Sequence, residues 1–343
     1  MKAVAIENPG PEGRLVLTQR PRPTPNPGDV LIRVRTAGIN RADLMQCRGH
    51  YPPPPGCSDL PGLEVAGTVV DRGEGVEWPE LGDRVCALLP GGGYAEYCVA
   101  DSGLCLPSPK GLALEAAAAL PEALWTVWDN LFQRARLSAG ETLLIQGGTS
   151  GIGALAIAIA RAHEVTVIAT AGTDEKCRVL SQWGAKAINY RTENLVSQVF
   201  TLTDHQGVDV ILDLVGGPYL DAHLKILKTE GRLVVIAVQG GYRSEINLLP
   251  ILSRRLTLTG STLRQRSPED KRQLAADVRH HLWPLVESGR VIPVIDHIYP
   301  AEEAAPALER LEASRHVGKI LLRFEDSPIP ELDPEASGLP PKP

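Results

Sequence analysis

The chain has 343 residues, 43% hydrophobic and 22% charged, long enough for two domains of ordinary size and too long for one compact core. Its 35 Lys and Arg against 41 Asp and Glu give a formal charge of −6, which argues against nucleic acid or an anionic membrane as the main partner and leaves a small-molecule site as the expectation. No apolar stretch reaches the ~18 residues of a membrane helix, the acid at Glu7 interrupts any secretory core, and the six cysteines (Cys47, Cys57, Cys86, Cys98, Cys105, Cys177) contain no CxxC pair, so reduced thiols in a cytoplasmic protein are expected.

Residues 1–7 form a short strand by pattern. Residues 29–37 (DVLIRVRTA) alternate hydrophobic and charged side chains at period two, and 64–70 and 83–89 are further β-rich runs between Gly and Pro. This first third is expected to be a β-rich, partly barrel-like unit. Residues 116–120 and 125–131 then have helical character. After them, 142–146, 165–169, 208–212 and 232–237 are apolar enough to be buried on both faces of a parallel sheet, and 187–190 is another short strand. Helical stretches at 152–162, 174–183, 195–201 and 219–227 alternate with these strands, which is the pattern of a doubly wound α/β domain. Beyond it come a helix (268–287), a strand (291–298), a helix (301–315) and a final strand (319–324), expected to return to the first domain. The resulting division is 1–122 with 264–326, and 123–263 between them. Residues 327–343 carry six prolines in seventeen positions and too few large apolar groups to fold alone, so a disordered tail is expected there.

The strongest single signal is Gln146-Gly147-Gly148-Thr149-Ser150-Gly151-Ile152-Gly153, between a predicted strand and a predicted helix. Small residues there let the backbone turn tightly and approach a pyrophosphate, and the helix N-terminus presents unpaired N–H groups and positive potential to the anion. The second strand ends in Ala169-Thr170-Ala171-Gly172 without the carboxylate that an NAD site uses on the ribose 2′-hydroxyl. A 2′-phosphate therefore fits without repulsion, with Lys176 on the next turn to pair with it, although Asp174 and Glu175 adjoin that lysine. NADPH is the expected cofactor. Tyr190 could close the pocket by stacking or hydrogen bonding, while on the residues alone it is an ordinary half-buried strand tyrosine.

Several further segments carry a resemblance: Pro27-Gly28-Asp29-Val30, Ala37-Gly38-Ile39-Asn40-Arg41-Ala42-Asp43, Leu60-Pro61-Gly62-Leu63-Glu64-Val65-Ala66-Gly67, Gly82-Asp83-Arg84-Val85, Gly93-Tyr94-Ala95-Glu96-Tyr97 and Gly318-Lys319-Ile320. In this order, over residues 1 to 325, the chain resembles the medium-chain dehydrogenase/reductase superfamily, and within it the zinc-free quinone oxidoreductases related to zeta-crystallin. Arg48-Gly49-His50-Tyr51-Pro52-Pro53-Pro54 is similar to a stretch of the quinone reductase branch. The resemblance implies a GroES-like catalytic domain beside a Rossmann cofactor domain. It implies cofactor contacts from Asn40, Gly148, Ser150, Gly151, Ile152, Gly153, Gly172, Lys176, Tyr190, Leu263 and Arg315. Zinc enzymes of the superfamily hold their metal with a cysteine where Asn40 stands and a histidine where Leu63 stands, and begin their proton relay with a hydroxyl where Ala42 stands. An amide and an isobutyl group do not replace thiolate and imidazole at tetrahedral zinc, so no metal is expected. The turn's spelling also suits short-chain dehydrogenases, but none of the seven tyrosines has a lysine four residues on, and that catalytic pair is therefore missing.

Without a metal or relay, reduction of a conjugated acceptor is less demanding than alcohol oxidation, because the acceptor itself takes up the hydride charge. Tyr51, Ser150 and Asn40 are the polar groups expected nearest the reacting rings, with cofactor positioning as the equal reading for Asn40 and Ser150 and loop packing for Tyr51. His50 and the pair His280-His281 lack the neighbours a catalytic or metal role needs, and Trp125 with Trp128 fits helix packing. The expected reaction is NADPH-dependent, zinc-independent quinone reduction. An alkenal or enone reductase on the same scaffold and an NADPH-binding protein with negligible turnover are the alternatives. Residues 256–261 alternate at period two and are expected at a sheet edge, where pairing with a symmetry mate would make a homodimer, as in similar enzymes.

Overall fold

The computed structural model describes residues 1–324, and the proline-rich tail lies outside the described residues. Two sheets organise the chain. The first has the strand order Ile295–Pro300, Lys319–Arg323, Asp29–Ile39, Glu64–Arg72, Arg84–Leu88, Cys105–Pro107, with Tyr97–Asp101 also paired to Asp29–Ile39. The long Asp29–Ile39 strand takes both neighbours because its eleven residues outlast any one partner: Tyr97–Asp101 pairs with its first half and Lys319–Arg323 with its end. The C-terminal strands thus return to the first sheet. A separate antiparallel pair, Lys2–Glu7 with Arg14–Gln19, lies at the N-terminus.

The second sheet is fully parallel, in the order Lys186–Asn189, Thr166–Ala171, Thr142–Ile145, Val208–Asp213, Leu227–Val235, Thr257–Gly260. Numbered from its first strand this is the 3-2-1-4-5-6 order of dinucleotide-binding folds, whose switch point lies between the first and fourth strands. Leu143, Leu144, Ile145, Val210, Ile211 and Leu212 are all fully buried, as expected of central parallel strands covered on both faces. The helices that begin at Gly151, Asp174, Leu195 and Pro268 start where the sequence supplies a capping oxygen: Ser150, Thr173, Asn194 and Ser267 each accept a backbone N–H of the first turn. The fold is α/β, a GroES-like β-rich part with a Rossmann-type sheet. One large core joins the two, with Leu88, Leu106, Leu124, Trp125, Leu155 and Leu274 in the same cluster.

Departures from the sequence expectations have local causes. The expected 268–287 helix is two, Pro268–His281 and Trp283–Glu287, because Pro284 has no N–H to continue the ladder. The expected 291–298 strand begins only at Ile295, after Pro293. The 301–315 helix opens with a 3-10 turn and stops at Glu312, ahead of Ser314 with φ 52°. The strand expected at 232–237 starts at Leu227 and ends at Val235. The helix expected at 125–131 begins at Pro121 and passes after Val127 into a π-helical stretch, Trp128–Arg134.

Candidate functional site

Thr142–Ile145 delivers the chain to the glycine-rich turn, and Gly151–Ala162 leaves it as a helix. Ser150 Oγ accepts from Gly153 N at 3.0 Å, and the first helical turn carries no acid, so its positive end is left for an anion. Two glycines are required by close approach: a Cβ on Gly153 would sit 2.5 Å from Gly147 O, and one on Gly148 would sit 2.7 Å from Ala169 Cβ. Gly318 N donates to Thr149 O at 2.8 Å and the Lys319 stem crosses Gly151. The final strand is therefore fastened directly to the turn.

A cleft of about 420 Å³ opens above this junction. Asn40, Ser150, Gly151, Ile152, Gly172, Lys176 and Tyr190 line it. Of the other residues singled out in the sequence, Gly148 and Gly153 shape the turn from behind, Leu263 is buried in the large core cluster, and Arg315 is exposed outside the lining. Tyr51 stands apart from the lining, on its loop beside Arg264, whose guanidinium lies 5.3 Å from the ring and donates to Tyr51 O at 3.2 Å.

At one end of the cleft, Lys176 Nζ donates to Ser314 O (2.7 Å) and His316 O (2.8 Å), and burial pulls its ammonium below the usual lysine range. Asp174, the acid that adjoins Lys176, is engaged instead by Asn189 Nδ2 at 2.6 Å. Arg191, which sequence reasoning missed, lines the cleft beside Tyr190 and Gly172, and its exposed guanidinium makes no ion pair among the described residues. His316 was also missed. It lines the cleft, Nδ1 is buried without a partner, and burial with the nearby Lys176 charge pushes the imidazole down to about 4, so it is neutral.

At the other end is a buried polar cluster that the motif reading treated as separate residues. Lys319 pairs with Glu64 and donates to Asn40 Oδ1 at 2.7 Å, and Asn40 Nδ2 donates to Glu64 Oε1 at 2.9 Å. The second hydrogen of that amide faces Gly38 O at 3.4 Å. Both donors of Asn40 are therefore turned toward the protein. Glu64 Oε2 accepts from Glu122 N at 2.9 Å. The Glu122 carboxyl, partly buried and opposed by the Glu64 charge, is pushed up to about 8. Below the cluster, the fully buried Asp43 accepts from Asn40 N, Gly62 N and the Tyr94 hydroxyl, and burial still moves it above the usual carboxylate range. Glu64 and Lys319 come from strands of the same sheet and Glu122 from the helix behind it. Only the fold brings them to Asn40.

A tetrahedral zinc site does not fit these residues. Asn40 has its amide committed to Lys319 and Glu64, Leu63 is a buried apolar side chain, and no group of three or more His, Cys, Asp or Glu able to hold a metal occurs among the described residues.

Residues 26–110 match the alcohol dehydrogenase GroES-like domain family, and residues 151–279 match the family described as zinc-binding dehydrogenase. The quinone oxidoreductase of Rattus norvegicus is 33% identical over 326 residues, which cover 94% of this chain and 97% of that protein. The chain belongs to the zinc-free quinone oxidoreductase branch of the medium-chain dehydrogenase/reductase superfamily. It is an oxidoreductase of that superfamily. A mycocerosic acid synthase-like polyketide synthase of Mycolicibacterium smegmatis is also 33% identical, over 94% of this chain, but the chain spans only 15% of that protein. Among solved structures, the quinone oxidoreductase of Escherichia coli complexed with NADPH superposes with a TM-score of 0.84 at 27% identity, covering 94% of this chain and 99% of that one. No helix among the described residues is long and apolar enough to cross a membrane.

Proposed function

We propose that this oxidoreductase uses NADPH to reduce quinones without a metal. The observation that carries the reading is the cleft itself: an acid-free strand tip with Lys176 and Arg191 at one end, the glycine turn in the middle and, at the other, the Asn40, Glu64 and Lys319 cluster, whose groups are hydrogen-bonded to one another. The NADPH complex of the Escherichia coli relative supports the same choice of cofactor. The bound dinucleotide supplies a hydride.

This chain's own residues do the rest. Gly147, Gly151 and the N-terminus of the following helix would hold the pyrophosphate, and Lys176 with Arg191 would pair with the 2′-phosphate. The Lys319 and Glu64 pair fixes Asn40 so that it holds the cofactor end of the cleft rather than donating to the acceptor. Ser150 Oγ accepts from the backbone and so keeps its own hydrogen free to donate into the cleft. Tyr51 stands outside the cleft lining against Arg264, and burial and Glu122 keep its phenol protonated. Glu122, beside Glu64 and outside the cleft lining, stays protonated near neutrality and is the proton donor to test. A quinone needs no more, since conjugation carries the charge that arrives with the hydride.

The test compares kcat/KM for simple ortho- and para-quinones with that for enones of similar size, NADPH held constant. Quinones are expected to turn over faster. Faster enones would make a double-bond reductase the better reading, and tight NADPH binding with no turnover of either would leave a binding protein.

A further inference from the structure

His223 lies in the helix Leu220–Ile226 and is fully buried, as is Asp213, while Gln146 and Thr170 on neighbouring strand ends are 1% and 0% exposed. Neither the motifs nor the chemistry above uses this histidine. Its surroundings form one continuous chain of polar contacts beneath the cleft floor. Gly147 N donates to Thr170 Oγ1 at 3.1 Å, and the Thr170 hydroxyl donates to Gln146 Oε1 at 2.8 Å. That leaves Gln146 Nε2, a donor, facing His223 Nε2 at 2.9 Å. The imidazole nitrogen there must supply a lone pair, so its hydrogen is on Nδ1, which lies 3.5 Å from Asp213 Oδ2 in an electrostatic contact that falls short of a hydrogen bond. The opposite tautomer would set donor against donor at Gln146 and lone pair against carboxylate at Asp213.

The chain of contacts ends on both sides in backbone that lines the cleft. On one side is Gly147 of the glycine-rich turn. On the other, Asp213 Oδ1 accepts from Val215 N (2.7 Å) and Gly216 N (3.0 Å), and Val215 O accepts from Gly240 N at 2.8 Å, which holds the facing 239–240 loop. The ring is also stacked on Tyr219, centroids 5.9 Å apart, and Tyr219 lines the cleft as well.

We infer that His223 is a positioning residue for the dinucleotide: through Gln146 and Asp213 it sets the glycine-rich turn and the 214–216 turn relative to one another. This rests on the nucleotide reading of the cleft. Removing the ring nitrogens leaves Gln146 Nε2 buried and unpaired, and a Gln146 side chain that moves away to find another partner takes its Oε1 from the Thr170 hydroxyl, which then no longer holds one orientation under Gly147 N. The cost falls on cofactor binding and not on the acceptor's reaction.

The test measures Kd for NADPH, kcat at saturating NADPH and Tm on the full-length protein. His223→Leu and the nearly isosteric Thr170→Val are each expected to raise Kd about ten-fold, the size of one buried donor or acceptor left unpaired, with kcat at saturation nearly unchanged. His223→Gln, whose amide oxygen accepts from Gln146, is expected to recover most of the affinity, and the double variant His223→Leu/Thr170→Val to be no worse than the weaker single one. Wild-type affinity in His223→Leu, no recovery in His223→Gln, or additive losses in the double variant would each overturn the inference. Should His223→Leu fail to fold, Thr170→Val against Thr170→Ser decides: the serine hydroxyl restores the affinity if the chain of contacts sets the turn, and gives none back if it does not. A wild-type protein that binds neither NADPH nor NADH overturns the nucleotide reading along with it.

Discussion

Glu122 illustrates how much of this site depends on single side chains in particular surroundings. Burial first, and then the Glu64 carboxylate, oppose its charge and carry its ionisation up to about 8. The folded protein therefore holds this proton more tightly than the unfolded chain, and the associated stability is complete below the ordinary glutamate range and lost as pH rises toward 8. If Glu122 supplies the proton, kcat falls above about pH 8 as it ionises, and Glu122→Gln lowers kcat at pH 7 while removing that limb; a limb that persists in the variant assigns the proton to another group. At the opposite end, Lys176→Ala is expected to weaken NADPH by roughly ten-fold or more, from a charge-assisted contact of about 1.5–3 kcal/mol, and NADH far less. Equal losses for both cofactors, measured by titration, would show that Lys176 serves the 314–316 carbonyls and not a phosphate. Ser150 and the turn glycines were legible because their signal is local and lies within eight consecutive residues. Glu64, Lys319, Arg191, His316 and Arg264 were not, because each gains its meaning from a neighbour far away in sequence, as Lys319 does from Asn40 and Glu64.

Among the elements, the strand to turn to helix unit around Gly151–Ala162 is the most constrained. Gly153→Val places a branched side chain where a single Cβ already meets Gly147 O and Gly148 O, so the turn must open. Binding of NADPH and NADH is expected to be lost together, while the cooperative melting of the protein survives; a variant that still binds either dinucleotide in a titration would contradict the role given to the turn. The central parallel strands could be read directly from their unbroken apolar runs, and the switch from β-rich to alternating pattern gave the fold class. What periodicity did not give was the strand Arg14–Gln19, whose residues are half exposed and alternate weakly, and the short edge strand Cys105–Pro107. The break at Pro284 shows proline overriding an otherwise continuous helical pattern.

In the molecule as a whole, the parallel sheet ends at Thr257–Gly260, an exposed strand with one side unpaired among the described residues. Leu248, Leu249, Leu252 and Tyr242 are exposed on the segment that leads to it. We propose that this edge pairs with its symmetry mate to form a homodimer, which would remove the open ladder and cover apolar surface together. Sedimentation at micromolar concentration is expected to give the dimer mass, and Leu258→Pro, which deletes a ladder donor, to give the monomer; a dimer unchanged by the proline places the interface elsewhere.

The central claim, that a cleft without metal ligands supports NADPH-dependent quinone reduction, is tested most directly by following NADPH oxidation with a simple para-quinone before and after exhaustive chelation. The account predicts one quinone consumed per NADPH, a clear preference over NADH, and a rate that chelation leaves unchanged. Loss of the rate on chelation and its return with added zinc would contradict it.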